Sequence, residues 1–309
     1  MSKTEINQEN TISNENRSSS SSSFLKLIIA LVKNKWALVS VFWLFFIILV
    51  AIFATEITPL DPNKNHIMER VSPPLTLDKN GNMKYIIGSD ALGRDCLSRL
   101  IYGAQVSLMV GFAEVFLGGL IGTLLGIFAG YYGRLIDDII MRLADIQLAF
   151  PFILLAILFL VVLGEGLINL ILVLGVGQWV TYARIARAQT ISQKEKEYVE
   201  AAKALGVSNF NIMFGSIFPN IVAPLIIIAS FNVASVILAE AALSFLGLGV
   251  PPQIPTWGAM LAESRDHIFA KRWWLPFFPG MAILITVLAF NIVGDWLRDY
   301  LDPRLKEVE

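Results

Sequence analysis

QKEKEYVEAAKALGVSNFNIMFGSIFPN, residues 193–220, decides how this chain is built. Its first eleven residues hold six charges, and no charge follows until Glu240. The charged part reads as an amphipathic helix. Tyr198, Ala202 and Leu205 share one face, while Lys194, Glu197 and Lys203 spread over the others. Gly206 can end that helix in a left-handed conformation, and Ser208 can cap a second, short one. Pro219 then stands at the entry to a long apolar run. Small Ala201 and Ala202 let another protein surface come close, and Glu200 offers a fixed charge for polar pairing. The same pattern also suits an ordinary solvated helix.

Working outward, the 49 charges of the 309 residues are badly mixed. Charged residues make up 16% of the chain, against about 25% in soluble proteins. Hydrophobic residues reach 55%, and the mean hydropathy is +0.64. These values exclude a soluble globular protein and a mainly disordered one. The net charge of -1 gives no reason to expect a nucleic-acid partner. Eight charges crowd into 184–203, and none lies in 36–54, 146–163, 166–183, 204–239 or 273–294. Residues 105–130 carry one, Glu114.

A membrane-crossing helix needs about 20 mostly apolar residues. Six spans are therefore expected, near 36–55, 106–130, 146–163, 167–183, 220–240 and 274–294. The uncharged stretch 241–262 reads as a loop, because Pro251, Pro252 and Pro255 would break a helix. It must sit outside the lipid or be covered by protein. Arg134, Arg142, Arg184, Arg187, Lys194, Lys196 and Lys203 place segments 134–142 and 184–203 in the cytoplasm. Both termini are then cytoplasmic. Residues 1–23, with a serine run, read as a disordered cytoplasmic tail. Residues 24–55 form an N-terminal segment and first span, and 56–104 an extracytoplasmic loop. Residues 105–296 make a five-span core with a cytoplasmic loop at 188–219, and 297–309 a cytoplasmic end.

No GxxxxGK[ST] phosphate loop exists, so any ATP would bind another subunit. One cysteine, Cys96, excludes an internal disulfide. Two histidines, His66 and His267, without a second ligand at helical spacing, call for no metal site and no cofactor. The spans lack His and Cys, which argues against an intramembrane enzyme. A secondary transporter would keep several ionisable residues at mid-depth, and here Glu114 alone is deep.

Glu200, Ala201, Ala202 and Gly206, with Ile217 and Pro219 beyond, resemble the EAA loop of ABC-importer permeases. Three further stretches resemble the C-type permeases of dipeptide, oligopeptide and nickel importers. They are IIGSDALGRDCLSRLIYGAQVSL (86–108), AALSFLGLGVPPQIPTWGAML (241–261) and FNIVGDWLRDYLDPRL (290–305). The resemblance implies an all-α, polytopic membrane protein with the type I, MetI-like permease fold in a bacterial cytoplasmic membrane. It implies alternating access driven by two ATP-binding subunits, beside a paired homologous permease and an extracytoplasmic binding protein. The solute implied is a di- or oligopeptide, with nickel or another small solute as the alternative. Glu200, Ala201, Ala202, Gly206, Ile217 and Pro219 would then couple the ATPase to the bundle.

Three features stand beside that resemblance. Gly118, Gly122, Gly126 and Gly130 make one flat helix face, suited to close helix packing or to lining a pore. Glu114 should face protein or a wet pathway, either as a substrate-pathway contact for a cationic group or as a polar packing residue. Asp137, Arg142 and Asp145 are spaced to pair along one helix, while Arg184 and Arg187 suit interfacial anchoring, and Trp273 and Trp274 an aromatic belt.

Overall fold

A computed structural model describes residues 28–78 and 80–301. The expected tail 1–23 and the last eight residues lie outside them. The described chain is mostly helical.

Helix α1 (Lys35–Ile52) starts at Asn34, whose side chain accepts from the Ala37 amide at 3.1 Å. It buries Ala37, Ser40, Leu44, Ile47 and Ala51. These recur every three or four residues, so one stripe faces the bundle. Trp36, Phe42 and Phe45 on the other side are exposed, as a lipid-facing surface requires. Helix α2 (Cys96–Tyr132) begins ten residues before the expected span. Asp95 caps it, accepting from the Ser98 amide at 2.8 Å. Its 37 residues rise about 56 Å. That is well beyond the ~30 Å of a hydrocarbon core, so α2 projects from the membrane.

The expected third span is not one helix. Helices α3 (Arg134–Leu148) and α4 (Phe152–Leu163) meet at 87°. Pro151 has no N–H for a helical bond and pushes Phe150 toward extended backbone, so the chain breaks there. Five charges on α3 also keep it out of an apolar core. Among the described residues, five helices can cross a membrane by length and composition, or up to six if the bent pair makes one crossing.

Helix α5 (Leu167–Lys194) runs along α2, and the glycine face is the reason. A Cβ on Gly118 would lie 2.7 Å from the Gly175 carbonyl oxygen, and one on Gly130 2.7 Å from that of Arg187. Cβ atoms on Gly122 and Gly126 would strike the carbonyls of Trp179 and Ala183. The contacted residues also recur every four positions. The stripe therefore packs one helix on another and does not line a pore. Cross-helix ion pairs extend the contact. Asp137 and Asp145 pair with Arg187 and Arg184 of α5, and not within α3 as their spacing suggests.

After α6 (Glu197–Ala204), residues 209–217 turn into α7 (Phe218–Phe245) through one wide π-helical turn, Ile212–Ile217. Pro219 lacks the N–H and crowds the carbonyl four residues back, and widening the turn ahead of it relieves that clash. Stretch 246–256 is irregular, as its prolines require. Helix α8 (Trp257–Ser264) follows within the expected loop, capped by Thr256, whose Oγ1 accepts from the Ala259 amide at 3.0 Å. Trp257 is fully buried and donates its ring N–H to the Leu100 carbonyl at 3.1 Å. The loop is thus covered by protein. Helix α9 (Trp274–Leu301) closes the bundle. Of the two expected belt tryptophans only Trp273 is exposed. Trp274 is buried beside Cys96 and Leu275, against Gly88.

Between α1 and α2 the chain folds into a cap with a short antiparallel hairpin, β1 (Thr76–Leu77) and β2 (Met83–Tyr85). Asp90 and Glu263 hold Arg94 at 2.6 and 2.7 Å, and Glu263 also takes Arg99 at 3.0 Å. This cluster fastens the cap to α8.

Candidate functional site

The turn between α5 and α7 is built by local chemistry. Gly206 has φ +78°, a conformation in which a side chain would be strained. Its amide donates to the Lys203 carbonyl at 3.0 Å, and the Val207 amide to that of Ala202 at 3.1 Å. This is the Schellman closure. The Ser208 hydroxyl then accepts from the Asn211 amide at 3.3 Å, the cap its position predicts.

Helix α6 rests lightly on the bundle. Val199 is its one buried residue, packed with Ile212, Met213 and Ile217. Ala202 is half-buried, and Glu200 and Ala201 are exposed. Tyr198, Ala202 and Leu205 therefore do not act as one face: Ala202 packs inward beside Val199, while Tyr198 and Leu205 are exposed. Leu205 is 84% exposed, and Phe210 just beyond is 64% exposed. Polar ties hold the element in place. The Tyr131 hydroxyl donates to Asn209 Oδ1 at 2.7 Å, and Lys194 Nζ to the Tyr131 carbonyl at 2.5 Å. Lys194 and Lys203 lie 5.5 and 5.8 Å from the Tyr131 ring centre. Ile217 is buried in the π turn, and Pro219 is exposed at the start of α7. So Glu200, Ala201 and Gly206 belong to the outward surface, and Ile217 and Pro219 to the root that carries it.

Two carboxyl groups are sunk among the helices. Glu240 on α7 is fully buried, and Ser244 and Ser107 donate to it at 2.7 and 3.4 Å. It links α2, α7 and the entry to α8. Glu114 on α2 is also fully buried, but neither oxygen has a partner among the described residues. It lies between Gly111, which faces Val233 and Ile237 of α7, and Gly118, which faces α5. It therefore sits where three helices meet, away from lipid. The expected coupling residues and Glu114 are not brought together.

Two charged groups in the cap escaped the sequence reading. One is the Arg94–Arg99 cluster, whose partners are 164 and 169 residues apart in sequence. The other is Glu69, which accepts from Lys84 Nζ at 2.5 Å and from the Tyr85 hydroxyl at 2.6 Å. These bonds hold its carboxyl below the usual carboxylate range. Burial and the same bond to Glu69 push the Tyr85 hydroxyl well above its ordinary value.

Comparison with known proteins agrees with this architecture. Residues 122–307 match the family model of the binding-protein-dependent transport system inner membrane component. Residues 23–74 match the N-terminal TM domain of oligopeptide transport permease C. The di/tripeptide transport system permease protein DppC of Pseudomonas aeruginosa is 42% identical over 88% of this chain and 89% of its own. The dipeptide transport system permease protein DppC of Escherichia coli is 43% identical, over 89% and 91%. The glutathione transport system permease protein GsiD of Pectobacterium atrosepticum is 40% identical, over 85% and 86%. A chain of the MetNI methionine ABC transporter, solved in inward-facing conformations, shares the fold with a TM-score of 0.54. It is 19% identical over 66% of this chain and 97% of its own. The family model covers more than half of the 309 residues and these relatives span most of them, so the chain belongs to the binding-protein-dependent transport system inner membrane components: it is a multi-pass permease subunit of an ABC importer.

Proposed function

We propose that this permease carries short peptides inward by alternating access, and that α6 is where an ATP-binding subunit pushes on it. The observation that carries the coupling reading is the contrast within the turn. Helix α6 is anchored through Val199 and Tyr131, yet presents Glu200, Ala201 and Leu205 to the outside. A short helix with a firm root and a free apolar edge can pass on a push. Coupling needs an element with two placements that both sides bias. Ile217 and Pro219 then transmit the push into α7, with Ala202 as the pivot against the bundle. The names of the relatives support peptides as the solute, and glutathione is itself a small peptide.

The assembly would contain a second, homologous permease, two ATP-binding subunits and an extracytoplasmic binding protein. Both termini would face the cytoplasm, with the cap outside. The test is uptake and ATP hydrolysis by the reconstituted complex, carrying Glu200→Ala or Gly206→Ala. Each is expected to keep assembly and hydrolysis while uptake falls about tenfold or more, Glu200→Ala by losing a charge-assisted contact and Gly206→Ala by straining the turn at φ +78°. Uptake unchanged by both substitutions would sink the assignment. Accessibility of single cysteines placed at either end and in the cap tests the orientation.

A further inference from the structure

Of the two carboxyl groups inside the bundle, only one is provided for. Glu240 has its serines. Glu114 has no donor at either oxygen, and no charged side chain among the described residues acts on it. Two more polar groups there have little beyond each other. Among the described residues, the buried Tyr182 hydroxyl and Asn232 amide nitrogen have no well-aligned hydrogen-bond partner outside that pair. That hydroxyl faces the Asn232 side chain, and the Tyr182 side chain packs on Gly119 and Gly122, about one to two turns along α2 from Glu114. Buried polar groups are almost always satisfied, so a cluster left bare needs an explanation.

An entrance adjoins them. A cleft of about 530 Å3 opens between α2 and α7, lined by apolar side chains such as Val115, Phe218 and Leu225. The Tyr182 ring forms part of its wall. Gly119 lies against that ring with room for no more than a methyl, since a Cβ there would touch it at 3.5 Å. Tyr182 thus has its ring in the cleft wall and its buried hydroxyl against Asn232, so it stands between the cleft and the interior that holds Glu114. The cleft supplies apolar surface and no positive charge, and Glu114 supplies one acid.

We propose that Glu114, with Tyr182 and Asn232, seats a cationic group of the transported solute, an ammonium or guanidinium, when the Tyr182 side chain turns aside, while the solute's apolar body rests in the cleft. This rests on the reading of the chain as a solute permease. Glu114 sets specificity and does no bond chemistry.

The experiment uses the whole reconstituted importer. Dicyclohexylcarbodiimide modification of Glu114 is followed by mass spectrometry with octylammonium or octanol present. These probes share an apolar body and differ in charge. Octylammonium should slow modification at least about tenfold and octanol should not, since one charge-assisted contact is worth about that much. Lysyl-leucine uptake should fall about tenfold in Glu114→Gln and partly recover in Glu114→Asp. Thermal unfolding of Glu114→Gln should match the parent, because no protein partner is lost. Equal protection by both probes, a Glu114 never modified even during turnover, or unchanged lysyl-leucine uptake in Glu114→Gln each overturns the proposal. The last two mark Glu114 as a packing or water-bound group. A parent complex that imports no peptide, yet is protected by octylammonium, overturns the peptide reading and leaves the site standing.

Discussion

At the scale of single residues, the glycine stripe on α2 gives the sharpest contrast. Gly122 and Gly119 are neighbours in sequence, yet an added methyl meets different surroundings. At Gly122 it would run into the Trp179 carbonyl, which cannot move without shifting α5. At Gly119 it would make ordinary contact with the Tyr182 ring. Gly122→Ala should therefore destabilise the bundle by about 1–3 kcal/mol or more, the usual result of overpacking. Gly119→Ala should be neutral or slightly stabilising, because alanine is the better helix former. Thermal unfolding in detergent, following aggregation of the monodisperse permease, separates the two. The stripe was legible because spacing alone puts its residues on one face. The buried acids were legible only in part. The charge pattern points to Glu114 as the one deep charge, whereas Glu240 is just as buried, and nothing in the sequence tells that Ser107 and Ser244 reach Glu240 while no described side chain reaches Glu114.

At the scale of elements, the turn that carries α6 was readable because its punctuation is local. Gly206 and Ser208 act on backbone groups within three or four residues. The choice of Val199 as the anchor was not readable, because its packing partners lie beyond the turn. Ser208→Ala should cost about 0.5–2 kcal/mol, the loss of one helix cap. The cost should appear as faster hydrogen exchange at the amides of 209–212, with α2 and α5 unchanged. The right-angle break between α3 and α4 was missed for a different reason. An uncharged run from 146 to 163 satisfies any hydropathy count, and Pro151 weighs as one residue among eighteen. Geometry gives it more weight, because a proline removes a helical hydrogen bond and crowds the preceding turn; the chain breaks at Pro151, whereas α7 and α9 carry Pro224 and Pro279 within them.

At the scale of the whole molecule, the cap is what no local reading could find. It is held by pairs that join residues far apart in sequence, between segments of middling hydropathy. One of its ties should be pH-dependent. Glu69 is held below the usual carboxylate range by Lys84 and Tyr85. Its contribution is thus fully present above that range and is lost as pH falls through the lowered value. Hydrogen exchange in the hairpin, corrected for intrinsic rates, should show less protection at pH 3 than at pH 6. Lys84→Gln should shrink the difference. The bent pair has a consequence for the lipid around the protein. Helix α4 has 12 residues and rises about 18 Å, well short of a ~30 Å hydrocarbon core. Exposed Leu135, Ile139, Leu143 and Ile146 suit α3 to lying flat at the membrane surface. On that flank the bilayer must pinch inward to meet the protein, so the permease carries a dimple in the membrane with it and favours thin bilayers over thick ones.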